Sequence, residues 1–150
     1  MKKSLLILSL AALSIIGTAQ TTRISLYEEF TGENCLPCAG ANPALNTLLS
    51  LPANAAKCVA IKWQVPIPSA PSATWSLYQT NKPEIDWRYK STASGGYGYA
   101  VGSAPEGRMD GQACTVFGAT SNHAGYISNA VIASAQSVPS PFSITMLRSW

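Results

Sequence analysis

Cys35-Leu36-Pro37-Cys38 constrains this chain more than any other feature, because its surroundings tie it to a specific local fold. Phe30 stands five residues before the first cysteine, and Pro43 stands five residues after the second. Arg23 to Phe30 alternates, with Ile24, Leu26, Tyr27 and Phe30, and predicts a strand running into the motif. Ala39 to Leu51 carries Leu45, Leu48 and Leu49 at helical spacing, with Pro43 inside the helix where it should kink it. Cys58 to Val65 is a short apolar run and predicts a second, buried strand. Strand, helix, strand in this order predicts parallel strands joined by a crossover. A helix starting at the first cysteine would aim its N-terminal N–H groups at Cys35 and favour the thiolate. A thiolate attacks disulfides, and a second thiol three residues on can resolve the mixed disulfide.

The ends of the chain read differently. Lys2 and Lys3, the apolar run Leu5 to Ile16, and Gly17-Thr18-Ala19 form a signal peptide over residues 1–19. Its apolar part is too short to prefer a membrane span. An exported chain allows its four cysteines to form disulfides. Ten Lys and Arg face seven Asp and Glu, and loss of Lys2 and Lys3 leaves eight against seven. That balance excludes a nucleic-acid footprint, which needs clustered basic charge. Residues 20–138 then form one domain. Phe142-Ser143-Ile144-Thr145-Met146 alternates again, so residues 139–150 are expected to open a β-rich region that continues in a longer natural chain.

Between these ends, Pro66 to Ala73 holds three prolines and predicts irregular chain. A helix is expected to start at Pro83, with Glu84 and Asp86 in its first turn. Asp110-Gly111 signals a hairpin, and Asn122 to Gln136 predicts a last helix ended by Pro139 and Pro141. Gly95, Gly96 and Gly98 lack a leading strand and a following Gly-Lys-Ser, so a loop is expected there rather than a phosphate cradle. His123 has no evident catalytic partner, and a helix-start or surface role is expected. Trp75, Tyr78, Trp87 and Tyr89 either cover a contact with the core or form a partner surface.

From Phe30 to Gly111 the chain resembles thioredoxin-fold proteins. Glu29-Phe30 precedes the cysteines where that fold places an acid and an aromatic. Pro43 matches the proline of its first helix, and Tyr99 to Pro105 is similar to the segment ending in its cis-proline. The pattern departs in Asn34, where an aromatic is usual, in Leu36-Pro37 rather than Gly-Pro, and in a longer insert before Pro105. A narrower resemblance, carried by Glu28 to Gly32, is to thioredoxin-like exported outer-membrane (Omp-type) proteins, in which a β-rich region follows.

The resemblance implies an α/β fold with a central mixed sheet flanked by helices. It implies Cys35 as nucleophile, Cys38 as resolving thiol, Pro105 as the groove-lining cis-proline, and Glu29 as a buried acid that takes a proton as Cys38 deprotonates. Only one of Glu28 and Glu29 is expected to face inward. The function implied is an exported thiol–disulfide oxidoreductase with no cofactor beyond the Cys35–Cys38 disulfide. Its partners would be protein thiols or disulfides and a membrane-associated reductant or oxidant. Location in the periplasm, at the outer-membrane surface or in the medium is consistent with the leader. The alternative is a surface binding or adhesion module in which Cys35–Cys38 is a permanent disulfide. Cys58 and Cys114 are expected to be buried free cysteines, ahead of a mutual disulfide or a four-cysteine zinc site, since zinc sites usually present two close pairs.

Overall fold

The computed structural model describes residues 22–73 and 76–140. The proposed leader, Trp75 and the strand expected at Phe142 lie outside the described residues. Strand β1 (Ser25–Thr31) leads through a short turn into helix α1 (Leu36–Ser50). Helix α2 (Pro52–Ala55) and strand β2 (Cys58–Gln64) complete the first half. The second half holds helices α3 (Leu77–Thr80) and α4 (Lys82–Tyr89), the hairpin β3 (Glu106–Met109) and β4 (Gln112–Ala113), and helix α5 (Asn129–Gln136). No helix among the described residues is long and apolar enough to cross a membrane.

The sheet among the described residues runs β2-β1-β3-β4, with β1 parallel to β2 and antiparallel to β3. The fold is therefore α/β with a mixed sheet and β1 at its centre. The residues of β1 divide between the two faces by the two-residue period of a strand. Tyr27 joins a core with Leu45 of α1, Met109, Cys114 and Val131, Ile132 and Ala135 of α5. Phe30 joins a second core with Val65, Tyr78, Ile85 of α4 and Val101.

Local chemistry explains the element ends. Cys35 caps α1, accepting the Cys38 N–H on its sulfur, and Pro37 suits the first turn, where its missing N–H has no partner to lose. Asn54 ties the end of α1 to α5 by donating to the Leu48 carbonyl and to Asn129 Oδ1. Asp110 and Gly111 both have positive φ (52° and 79°), the two-residue turn whose twist suits a hairpin.

Three expectations are corrected. β2 is not buried: it ends the sheet among the described residues, and Val59, Ala60 and Ile61 are exposed. An apolar run fits an edge strand as well as a central one, and composition alone does not separate them. The last helix begins at Asn129 rather than Asn122, because Ser128 caps it by accepting the Val131 N–H. Residues 124–126 form a separate 3-10 turn, on which His123 Nδ1 accepts the Gly125 N–H. Finally, Glu28 and Glu29 are both buried, one on each face of β1.

Candidate functional site: the Cys35–Cys38 disulfide and its surroundings

Cys35 and Cys38 form a disulfide at the start of α1, with Cα atoms 5.2 Å apart. The turn that delivers β1 to Cys35 is closed by the Cys35 N–H donating to the Gly32 carbonyl (3.2 Å). Gly32 has to be glycine, since a Cβ there would overlap the Ile67 carbonyl oxygen. The proline-rich loop thus packs against the turn that leads into Cys35. Asn34 Nδ2 also donates to Ser69 Oγ of this loop (3.5 Å), and Glu33 Oε1 accepts the N–H of Tyr78 in α3 (3.1 Å). The Ile67–Pro68 peptide bond in this loop is cis.

The opposite side is formed by Ala104 and Pro105. The Ala104 carbonyl oxygen lies 3.4 Å from Cys35 Sγ, and Pro105 is fully buried behind it with a cis Ala104–Pro105 bond. Cys35 and Cys38 retain only 5% and 2% exposure between these walls, whereas Leu36, between them in sequence, is 85% exposed. The structure therefore brings Cys35, Cys38 and Pro105 together, and it puts Glu29 on the sheet face that α1 covers. That face is identified by Leu45 packing with Tyr27 and by Asn42 Nδ2 donating to Thr31 Oγ1 (3.0 Å).

The two glutamates have contrasting partners. Glu28 receives Arg88 Nε and Nη2 at 2.6 and 2.7 Å, the Tyr99 hydroxyl at 2.6 Å and Trp63 Nε1 at 3.1 Å. Burial would raise its pKa, but the hydrogen bonds from Arg88, Tyr99 and Trp63 and the Arg88 charge outweigh burial and hold it below the ordinary 4.5. The Arg88 guanidinium also lies over the Tyr97 and Tyr99 rings, at 4.2 and 4.9 Å from their centroids. Glu29 is fully buried and has an ion pair with Lys62, its register partner on β2 (2.6 Å). That contact lacks hydrogen-bond geometry, and neither carboxylate oxygen has a hydrogen-bond partner among the described residues.

The Glu28 cluster shapes the disulfide's far wall, a role the sequence did not suggest. Tyr99 is fixed by Glu28 through its hydroxyl and by Arg108 Nη2 through its carbonyl (3.0 Å), and the Val101 N–H donates to the Tyr89 carbonyl (2.9 Å). These bonds anchor the segment that ends at Ala104 and Pro105. A signal existed in the arginine and the aromatics of 87–99, but Glu28 and Arg88 are sixty residues apart and nothing local pairs them.

Cys58 and Cys114 are buried free thiols in the Tyr27 core. Burial, reinforced by the Asp110 charge at Cys58, pushes Cys58 up to about 11, and burial does the same to Cys114 despite the Arg108 charge. An open groove runs along β2 between Ile61, Trp63, Leu77 and Ile85, and none of the four cysteines lines it. No family model, no curated protein and no solved structure matches this chain.

Proposed function

We propose that this is a thioredoxin-like domain of an exported thiol–disulfide oxidoreductase, working through Cys35 and Cys38 on protein thiols and disulfides. The observation that carries the reading is the joint position of the disulfide at a helix N-terminus and the Ala104 carbonyl 3.4 Å from Cys35 Sγ. The sheet order β2-β1-β3-β4, with the cysteines following the central strand, supports the same family of folds.

In the oxidising direction, a substrate thiolate attacks Cys35 Sγ, the Cys35–Cys38 bond breaks, and Cys38 leaves as a thiolate. A second substrate thiolate then attacks its own sulfur in the mixed disulfide and releases Cys35. The substrate loses two electrons and becomes a disulfide; the enzyme gains them as two thiols. In reverse, Cys35 attacks and Cys38 resolves. The Cys38 N–H, 3.2 Å from Cys35 Sγ, favours charge on that sulfur whenever it is released. Glu29 takes or supplies the Cys38 proton from the sheet face beneath α1. Exposed Leu36 offers an apolar contact to a docking protein, and the segment before Pro105, as in the fold it resembles, would present its backbone to an extended substrate. An external thiol–disulfide couple, membrane-associated or soluble, restores the starting state.

One observation favours a second reading. Cys35 is only 5% exposed, and a disulfide this inaccessible suits a surface binding or adhesion module that uses it as a staple. Trapping separates the two. Cys38→Ser, mixed with a disulfide-containing test protein, should accumulate a 1:1 covalent adduct through Cys35 that dithiothreitol dissolves. Cys35→Ser should form none. Absence of the adduct in native Cys38→Ser, with Cys35 labelled only after unfolding, overturns the oxidoreductase reading.

A further inference from the structure

Tyr27 and Glu29 point from β1 to the same face, and both are fully buried. The Tyr27 ring fills space that Gly107 leaves by having no side chain: a Gly107 Cβ would fall 2.6 Å from Tyr27 Cζ and overlap the hydroxyl oxygen. Gly107 is the register partner of Glu29 on β3. The phenol therefore reaches along the sheet to the row that holds the Glu29 carboxylate. Its hydroxyl has no hydrogen-bond partner among the described residues, and neither does either oxygen of Glu29. A buried donor with no partner thus lies within electrostatic range of a buried carboxylate whose one polar contact is the Lys62 ion pair on the other side of β1. Native interiors seldom leave such groups unpaired.

We infer that Tyr27 is a positioning residue for Glu29, donating its phenolic O–H toward the carboxylate across one internal water. The phenol is suited to this because burial, with the nearby Cys114, Glu29 and Cys58, pushes its own pKa far above the ordinary 10 despite Arg108, so it keeps its proton. Asn42 Oδ1 on α1, whose Nδ2 donates to Thr31, is a further unpartnered acceptor on this face. Other groups set the electrostatic surroundings: Lys62 and Cys58 on β2, Arg108 on β3 and Cys114 just beyond β4. Helix α5 brings only Val131, Ile132 and Ala135 to the core there.

The consequence for the proposed chemistry, which rests on Glu29 exchanging a proton with Cys38, is that Tyr27 sets the pH at which that exchange works. A lost hydrogen bond to the charged carboxylate disfavours that form, by about tenfold in the proton concentration at which it titrates. Tyr27→Phe keeps the ring that fills the Gly107 space and removes only the hydroxyl. In reduced protein with carboxyl-labelled glutamate, the Glu29 resonance, assigned by its loss in Glu29→Gln, should titrate about one pH unit higher in Tyr27→Phe. The exchange rate should show its pH dependence displaced by the same amount, and Glu29→Gln should abolish the difference that Tyr27→Phe makes. Fluorinated tyrosine placed at position 27 alone, a stronger donor that keeps the ring and hydroxyl, should move the Glu29 titration the opposite way.

An unmoved Glu29 resonance in Tyr27→Phe, or in the fluorotyrosine protein should the variant not fold, overturns the inference and leaves Tyr27 as a filler of space. A moved resonance with an unmoved exchange profile upholds the hydrogen bond and counts against Glu29 as the proton partner of Cys38. The two failures are therefore distinguishable.

Discussion

Glu28 and Glu29 are neighbours on one strand, equally inaccessible, and placed in opposite kinds of environment. Glu28 is saturated by Arg88, Tyr99 and Trp63, a set of donors that fixes α4 and the 97–105 segment to the sheet. Glu29 has one flexible ion-pair partner, Lys62, and no completed hydrogen bond among the described residues. A fully satisfied buried charge holds structure, whereas an incompletely satisfied one can change protonation at little structural cost. The face with Glu28 is therefore scaffold, and the face with Glu29 is the one on which the proposed chemistry rests.

The comparison breaks most directly by neutralising each acid in turn. Glu28→Gln strands the mostly buried Arg88 and should lower unfolding free energy by about 3 kcal/mol in urea titrations. Glu29→Gln leaves Lys62, whose side chain is 29% exposed and can turn toward water, so its loss should stay under about 1 kcal/mol. Equal losses would abolish the distinction between the faces.

Acid sharpens it. The folded-state pKa of Glu28 lies below its ordinary value, so its contribution is present above about pH 4.5 and disappears as pH falls through the folded value. The stability gap between the native protein and Glu28→Gln should therefore be full at pH 7 and narrow steadily below pH 4.5. A gap independent of pH would mean that Arg88 does not stabilise the carboxylate.

Two glycines extend the contrast to either side of the disulfide. Gly32→Ala forces a Cβ onto the Ile67 backbone and should cost roughly 1–3 kcal/mol. Gly40→Ala enters open space in α1 and should instead stabilise by about 0.5–1 kcal/mol. Differential scanning calorimetry would check both, and a harmless Gly32→Ala would show that the 66–73 loop is not held against the turn. The smallest effect is expected at Cys58 and Cys114. Buried, and with thiols pushed up to about 11, they should resist iodoacetamide at pH 8 until the protein unfolds.

What could be read from the sequence was local. Pro37 and the Leu45, Leu48 and Leu49 spacing located α1, and Asp110-Gly111 located the hairpin, because these signals act within a few residues. The pairing of Cys35 with Cys38 was likewise legible from spacing. The partners of Glu28 were not, since Arg88 and Tyr99 reach it only through tertiary packing. Nor was the edge position of β2, because Val59 and Ile61 suit either an exposed or a covered strand. Tyr27 is visible in the sequence only as one position of the alternating Arg23 to Phe30 strand. Its relation to Glu29 depends on Gly107, eighty residues away, vacating the space the phenol uses.

The proposed function turns on electron exchange by Cys35 and Cys38 in the folded protein. Redox equilibration of residues 20–150 in glutathione buffers, scored by alkylation and intact mass with Cys35→Ser as control, tests it directly. Reversible titration of a single pair within the range that glutathione buffers span, with Cys35 alkylated before Cys38 once reduced, is expected. A pair that stays oxidised under strong reductant until the protein unfolds would contradict it and leave the disulfide as a structural staple.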